Sequence, residues 1–238
     1  MAIGMRVPNN TFPEGDFGLE PEDEALIDIA AIGERRISVS PEYYKRGVEG
    51  AVPRCLLRQG AAERLLKALS MLPPAYGFRI YDAWRPLRVQ KALYDRYYRS
   101  LEDKYLGSLT RAQIEARARL FVSPPSEDIS RPAAHSTGGA VDLTITDMGR
   151  ELDMGTEFDD FSDKAHSAYF EIYDNRTIRD NRRLLYGCMT AAGFTNLPTE
   201  WWHFDYGDAF WSCYTGRPAI YAGILSEEGG RIDDWRML

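Results

Sequence analysis

The chain has 238 residues, of which 44% are hydrophobic and 12% are aromatic, so it is long enough to bury a substantial core without disulfide or metal staples. Its formal net charge of −7 argues against non-specific binding to nucleic acid, which needs clustered Lys and Arg facing phosphates. No stretch approaches the roughly eighteen apolar residues of a membrane-spanning helix. We therefore expect neither a nucleic-acid partner nor a membrane partner.

The N-terminal sequence and the cysteines indicate a cytoplasmic protein. Residues 1–8 lack the apolar segment of a secretory signal, and acidic residues follow soon after. The cysteines are odd in number and stand in no metal-binding spacing, which is typical of reduced, buried thiols; they are Cys55, Cys188 and Cys213. A local basic run at residues 176–183 is interrupted by Asp180, and we expect it to be a solvated helix face.

The first half of the chain is predicted to mix strands and helices. Residues 1–24, rich in Pro, Gly, Asn and acid, are expected to form an extended lead-in, and the apolar residues 25–39 an early strand. Pro73-Pro74 and Arg85-Pro86 end the elements that precede them. Apolar spacing predicts the following elements in chain order: a helix at 61–72, a strand at 78–84, and helices at 89–99 and 111–121.

The second half places two predicted strands beside histidines. Residues 141–146 alternate apolar and polar side chains, with Asp142 on the polar face. The segment from Glu200 to Tyr206 alternates in the same way, with His203 and Asp205 on the face opposite Trp202, Phe204 and Tyr206. The remaining predictions are an irregular loop at 123–134, an acidic loop at 147–163, a helix at 180–192 capped by Gly193, and turns with short strands at 209–238.

These two strands supply a candidate metal site. If they pair, Asp142 and His203 project from the same side of the sheet. His135 lies in the loop just before its strand, where Gly138 and Gly139 allow the backbone to bend back so that its ring reaches the same ion. Two neutral imidazoles and one carboxylate with an open fourth position suit a catalytic zinc. We therefore predict one Zn²⁺ per chain, held by the two histidines and the aspartate.

Glu200 is the candidate general base. It stands three residues before His203, and in a regular strand the two side chains would point to opposite faces. A bend near residues 199–201 is therefore required to bring the carboxylate to the metal. There it would take a proton from the metal-activated water and pass it to the leaving amine. The third histidine, His166, has no such context and is expected to be structural or at the surface.

Arg85 ends a predicted apolar strand immediately before Pro86, which leaves its guanidinium at the strand tip. An Arg in that position either stabilises a tetrahedral oxyanion or clamps a substrate carboxylate. An ordinary surface salt bridge is the alternative, and the sequence leaves these interpretations open.

Several ordered blocks at compatible spacing are more specific than any of these residues alone; they are Tyr81–Pro86, His135–Thr144, Met154–Asp159, Asn181–Arg183 and Glu200–His203. In these blocks, within residues 55–206, the chain resembles the D-alanyl-D-alanine dipeptidases of vancomycin resistance, which are zinc metallopeptidases. The resemblance implies these roles: zinc ligands His135, Asp142 and His203, catalytic base Glu200, transition-state contact Arg85, and Asp159 as the partner of the free ammonium of the dipeptide.

The chain departs from the family pattern at one position. The family carries a Ser, which helps to hold the substrate, two residues before the first zinc histidine, where this chain has Ala133. The departure leaves the metal chemistry intact and puts the identity of the dipeptide in question.

We therefore expect one domain over residues 1–238, with 1–50 poorly assigned. The predicted fold is α+β, with a central, mostly antiparallel sheet, helices on one side and the zinc cleft on the other. The predicted function is hydrolysis of a small D-dipeptide, D-alanyl-D-alanine first. Two alternatives remain open: a D,D-carboxypeptidase or endopeptidase acting on peptidoglycan stem peptides, and a catalytically silent zinc-binding module on the same fold.

Overall fold

The structure is a computed structural model that describes residues 5–11 and 15–235. The described helices are α1 Glu42–Lys45, α2 Gln59–Ser70, α3 Leu87–Tyr105, α4 Arg111–Ala118, α5 Tyr169–Ile172, α6 Arg176–Ala192 and α7 Ala209–Thr215. The described strands are β1 Leu26–Asp28, β2 Ile37–Val39, β3 Leu56–Arg58, β4 Tyr76–Asp82, β5 Ala140–Asp147, β6 Arg150–Glu151, β7 Thr195–Asn196, β8 His203–Asp205 and β9 Ile232–Asp233. Parts of the predicted lead-in and of the C-terminal segment, at 1–4, 12–14 and 236–238, lie outside the described residues.

The larger of two sheets has the strand order β2-β4-β5-β8-β7, with β6 paired to β5. Strand β2 runs parallel to β4, whereas β4, β5, β8 and β7 pair antiparallel in succession. The smaller sheet has the order β3-β1-β9. The prediction of an α+β fold with a mostly antiparallel central sheet is confirmed.

One face of the larger sheet is apolar and packs against helices α2 and α6. Val141, Leu143 and Ile145 alternate along β5 and share one buried cluster with Leu65 of α2 and Leu185 of α6. Burying a side chain of this size contributes about 1.5–3 kcal/mol. Because a one-residue slip would exchange the two faces of β5, this burial specifies the register of the strand.

The opposite face of the sheet opens into a cleft of about 670 Å³. Asp142 of β5 and His203 of β8 face each other directly across the paired strands, as predicted. The outer wall of the cleft comes from α3 and from residues 119–123, which follow α4. The site therefore lies between the polar face of the sheet and a wall formed by α3 and residues 119–123.

The four longer predicted helices are found, with ends shifted by a few residues. Helix α3 is longer than predicted and ends at Tyr105, because Leu106 adopts a left-handed conformation with φ of 39°. Helix α6 ends at Ala192 and is capped by Gly193, whose φ is 111°, as predicted from the glycine.

Three predictions need correction. The early strand at 25–39 is divided into β1 and β2, which belong to different sheets, by a 3₁₀ turn that ends at Gly33 with φ of 75°. The strand predicted from Glu200 begins only at His203. The region 209–238 contains helix α7, whose first turn is capped by the Asp208 side chain accepting from the Trp211 N–H.

The basic run at 176–183 is helical, as predicted, but it is not wholly solvated. Arg182 is 3% exposed and donates to three backbone carbonyls, those of Met154, Lys164 and His166. A cation buried in this way joins α6 to the loop before α5.

The next features concern membrane-spanning helices and the state of the cysteines. Among the residues described, no helix combines the length and the apolar composition that crossing a bilayer requires. All three cysteines are free thiols; Cys55 and Cys188 are buried, whereas Cys213 is only partly buried.

Candidate active site

The side chains of His135, Asp142 and His203 converge on one point in the cleft. His135 Nε2 lies 3.1 Å from His203 Nδ1 and 3.4 Å from Asp142 Oδ2. His203 Nδ1 lies 2.9 Å from Asp142 Oδ1. In a tetrahedral zinc site with bonds of roughly 2.0–2.1 Å, neighbouring ligand atoms are about 3.3 Å apart. The spacing of the three donor atoms therefore fits a zinc ion.

The partners of the outer ring nitrogens indicate which tautomer each histidine adopts. His135 Nδ1 lies 2.6 Å from the Ala83 carbonyl oxygen, which only accepts, so the proton is on Nδ1 and Nε2 carries a lone pair. His203 Nε2 lies 2.7 Å from Asp205 Oδ1, which leaves a lone pair on Nδ1. When both rings are neutral, two lone pairs face the Asp142 carboxylate, an arrangement suited to a metal ion between them.

The electrostatics of the cluster also favour a positive charge at its centre. Burial lowers the pKa of His203, but Asp205 and Asp142 outweigh burial and raise that pKa well above its ordinary value. Burial raises the pKa of Asp142, but the two histidines outweigh it and hold that pKa well below its usual range. A zinc ion would supply this charge, and it must displace the His203 proton to do so.

The turn that carries His135 depends on two glycines. Residues Ala134–Thr137 form a 3₁₀ turn that ends at Gly138, whose φ of 77° lies in the left-handed region. A Cβ at Gly139 would collide with the Tyr206 carbonyl oxygen, so the close pairing of this segment with the end of β8 requires glycine there. Both observations support the interpretation that these glycines bring His135 back over its strand.

Glu200 reaches the cluster through the bend that the sequence required. The His203 N–H donates to the Glu200 carbonyl oxygen at 3.2 Å, which closes a turn just before β8. Glu200 Oε2 consequently lies 4.0 Å from His203 Nδ1. Burial raises the pKa of the Glu200 carboxyl to about 8, although the nearby His203 opposes the rise. A carboxyl with a pKa near neutrality is suited to general base catalysis.

Arg85 is 7% exposed and forms a salt bridge with Asp82, so the salt bridge considered as the alternative exists but is buried rather than at the surface. Its Nε and Nη2 donate to Asp82 Oδ2 at 2.9 and 2.7 Å, and its Nη1 donates to Gln90 Oε1 at 2.7 Å. Nη2 also lies 3.9 Å from Asp142 Oδ2. Three hydrogen bonds therefore fix the guanidinium beside the metal-ligand cluster.

Asp159 lines the same cleft and is held at its rim. Tyr43 donates its hydroxyl to Asp159 Oδ1 at 3.0 Å, and Arg46 Nη1 donates to Oδ2 at 2.8 Å. The backbone of Asp159 has a φ of 71°, a left-handed conformation that Asp tolerates better than most residues. Burial raises the pKa of this carboxyl, and Arg46 opposes the rise.

Comparisons with known proteins agree with this geometry. Residues 37–219 match the family described as D-ala-D-ala dipeptidase. The chain belongs to this family. A D-alanyl-D-alanine dipeptidase of Synechocystis sp. is 30% identical over 176 residues, which is 66% of this chain and 71% of the relative. Another of Escherichia coli is 30% identical over 154 residues, 64% of this chain and 67% of the relative.

A solved structure of the vancomycin resistance D,D-pentapeptidase VanY in complex with Zn(II) is more distant. It has a TM-score of 0.42 and 16% sequence identity, and the match covers 72% of this chain and 85% of that chain. The family resemblance predicted from the sequence is confirmed by the match over 37–219, and the chain is accordingly a peptidase.

The structure adds contacts to this dipeptidase-family site that sequence reasoning did not give. Asp205, Gln90, Tyr43 and Arg46 each bond a predicted site residue, and of these sequence reasoning considers only Tyr43, as a residue of the cleft wall. Only Asp205 had a local signal, because two residues after His203 in a strand means the same face. Gln90 is five residues from Arg85, at the start of α3, whereas Tyr43 and Arg46 lie around α1, more than a hundred residues from Asp159.

Ala133, the two adjacent tryptophans and His166 differ in how they lie relative to the cleft. Ala133 lines the cleft. Trp202 lines the cleft as well, whereas Trp201 is buried and donates its ring N–H to Thr156. His166 is partly buried and does not line the cleft, in agreement with a structural or surface role.

Proposed function

We propose that the chain is a zinc-dependent dipeptidase that hydrolyses D-alanyl-D-alanine or a closely related small D-dipeptide, with one zinc per chain on His135, Asp142 and His203. The observation that carries the proposal is the convergence of two imidazole nitrogens and a carboxylate, with a fourth group, Glu200 Oε2, 4.0 Å from His203 Nδ1. Membership of the dipeptidase family supports the reaction class.

The residues around the ligands have distinct roles in this proposal. When bound there, zinc lowers the pKa of a water molecule and polarises the scissile carbonyl. Glu200 takes a proton from the attacking water and gives it to the departing amine as the C–N bond breaks. Arg85, held by Asp82 and Gln90, donates hydrogen bonds to the oxygen on which negative charge develops.

The proposed recognition of the dipeptide uses its free amino end. Asp159 lines the cleft with the metal ligands, and its carboxylate would accept the substrate ammonium. Recognition of a free ammonium favours a dipeptide over a longer stem peptide, whose corresponding nitrogen is acylated. A cytoplasmic location, which the free thiols support, and one domain over 1–238 complete the proposal.

A panel of peptides tests the proposal. We expect the purified, zinc-loaded chain to hydrolyse D-alanyl-D-alanine, a chelator to abolish the activity, and added zinc to restore it. Glu200→Gln should retain zinc and lose about 10²–10⁴-fold in kcat. Glu157→Gln, in the exposed part of the acidic loop, is the matched control and should keep the activity of the unsubstituted chain.

Two results would contradict the proposal. Faster cleavage of N-acetylated or longer D,D-peptides than of the free dipeptide would favour the carboxypeptidase alternative. If the zinc-loaded chain cleaves no D,D-, L,D- or L,L-dipeptide, the silent zinc-binding module becomes the better description.

A further inference from the structure

Asp159, the carboxylate proposed to bind the substrate ammonium, is already paired with a cation of the chain, Arg46. Arg46 Nη1 lies 2.8 Å from Asp159 Oδ2, while the Tyr43 hydroxyl donates to Oδ1. Arg46 and Asp159 both line the cleft. A substrate ammonium that approaches Asp159 therefore meets a carboxylate whose charge is already balanced.

Arg46 has a second acceptor within reach. Glu42, four residues earlier at the start of α1, places Oε2 3.9 Å from Arg46 Nε. The other oxygen of Glu42 accepts from the Ser40 hydroxyl and the Lys45 ammonium, which hold the carboxylate in place. Oε2 is thus positioned to receive the guanidinium when it leaves Asp159.

The surroundings of Arg46 permit such a movement. Its side chain keeps 39% of its surface exposed, so the pair with Asp159 is not locked by packing. The guanidinium lies over the Phe158 ring, 5.3 Å from its centroid. The ring and Glu42 together offer the displaced cation a favourable place at the rim of the cleft.

We propose that Arg46 competes with the substrate ammonium for Asp159, and that binding of a free dipeptide transfers Arg46 from Asp159 to Glu42. The inference rests on the proposed function, in which Asp159 receives the ammonium. Because one cation replaces another on the same carboxylate, part of the attraction for the ammonium is cancelled. Arg46 therefore lowers the affinity for the substrate, and it leaves Asp159 only when the substrate ammonium takes its place.

Two substitutions should change the KM in opposite directions if Arg46 and the substrate ammonium compete for Asp159. Arg46→Met keeps an apolar stem over Phe158 and removes the charge, so the KM for D-alanyl-D-alanine should fall by about three- to fivefold. Glu42→Gln weakens the second acceptor and should raise the KM by a similar factor. The kcat of both variants should stay within about twofold of the unsubstituted value, because neither residue touches the reacting atoms.

The double substitution is the control. In an Asp159→Asn background, Arg46→Met should no longer change the KM, since the shared carboxylate charge is gone. A KM that rises or stays constant in Arg46→Met, or that falls in Glu42→Gln, would overturn the proposal.

The same comparison is repeated as a binding measurement, with zinc-loaded Glu200→Gln titrated with D-alanyl-D-alanine in a calorimeter. The Kd should follow the same directions as the KM. If the dipeptide binds but Arg46→Met does not change its Kd, the competition proposal is wrong and the proposed function still stands. Absence of both turnover and binding defeats the proposed function, and the competition with it.

Discussion

His203 Nε2 lies 2.7 Å from Asp205 Oδ1, and Asp205 is 0% exposed. The two residues are separated by one position in β8 and share a face of the strand. This bond turns the Nδ1 of His203 toward Asp142 and His135. Asp208 lies behind the pair, and burial together with the Asp205 charge raises the pKa of Asp208 well above its ordinary value.

We expect Asp205→Asn to lower zinc affinity by about 10–100-fold, because the orienting carboxylate of His203 is lost. The measurement is a zinc titration against a chromophoric chelator of known affinity. Asp163→Asn, at an exposed position, is the control. An Asp205→Asn chain that folds and binds zinc as tightly as the unsubstituted chain would show that Asp205 does not position the ligand.

Arg85→Lys keeps a positive charge and loses the planar fork that grips Asp82 and Gln90. If Arg85 serves the developing oxyanion, kcat for D-alanyl-D-alanine should fall by about 10²–10³-fold with little change in KM. Steady-state kinetics of this variant beside Arg88→Lys, an exposed neighbour, provide the test. A raised KM with an unchanged kcat would instead assign Arg85 to clamping the substrate carboxylate.

The stability of the metal-free chain should depend on pH through Glu200. Burial raises the pKa of its carboxyl from 4.5 to about 8, so between those values the folded chain holds a proton that the unfolded chain has released. Unfolding free energy is therefore highest below the lower pKa and falls as the pH rises through the higher one. This contribution is absent when residue 200 is Gln.

When the pH rises from about 5 to about 8, the unfolding free energy of Glu200→Gln should fall less than that of the unsubstituted chain. The difference should be on the order of a few kcal/mol. Urea unfolding in the presence of a chelator at both pH values measures it. Parallel losses in the two chains would mean that Glu200 is ionised in the folded, metal-free protein.

Arg182→Leu should destabilise the fold by about 3 kcal/mol, since it leaves three buried carbonyl groups without their donor. Burial already lowers the pKa of Arg182 to about 9. Arg176→Leu, whose side chain is 85% exposed, should stay within about 0.5 kcal/mol of the unsubstituted chain. Chemical denaturation of the two variants compares them directly, and equal stabilities would contradict the structural role of Arg182.

Several features of the site could be read from local pattern. The period of two in residues 141–146 and at His203–Asp205 predicted which side chains share the polar face, and the structure has these strands as direct neighbours. The three-residue spacing of Glu200 and His203 required a bend, and a turn lies there. Side-chain type and strand period are properties of a few consecutive residues, so a sequence can specify them.

Other features had no local signal. Helix α7 stands in a region rich in Gly and Pro, and its Asp208 cap and Gly216 end were hidden among turn residues. The three carbonyls around Arg182 come from the loop before α5, so the basic run alone indicated a solvated face. Packing decided both cases, because a cation or a short helix is stable only in the surroundings that the rest of the chain provides.

The sequence by itself predicted the donor set of His135, Asp142 and His203, the role of Glu200 as base and the family, because these predictions follow from side-chain chemistry at short spacing. Tertiary structure alone decided that the Ala83 carbonyl orients His135 and that Arg46 pairs with Asp159. Both contacts join residues that lie far apart along the chain. Their distance depends on how the sheet and helices pack, which no local pattern records.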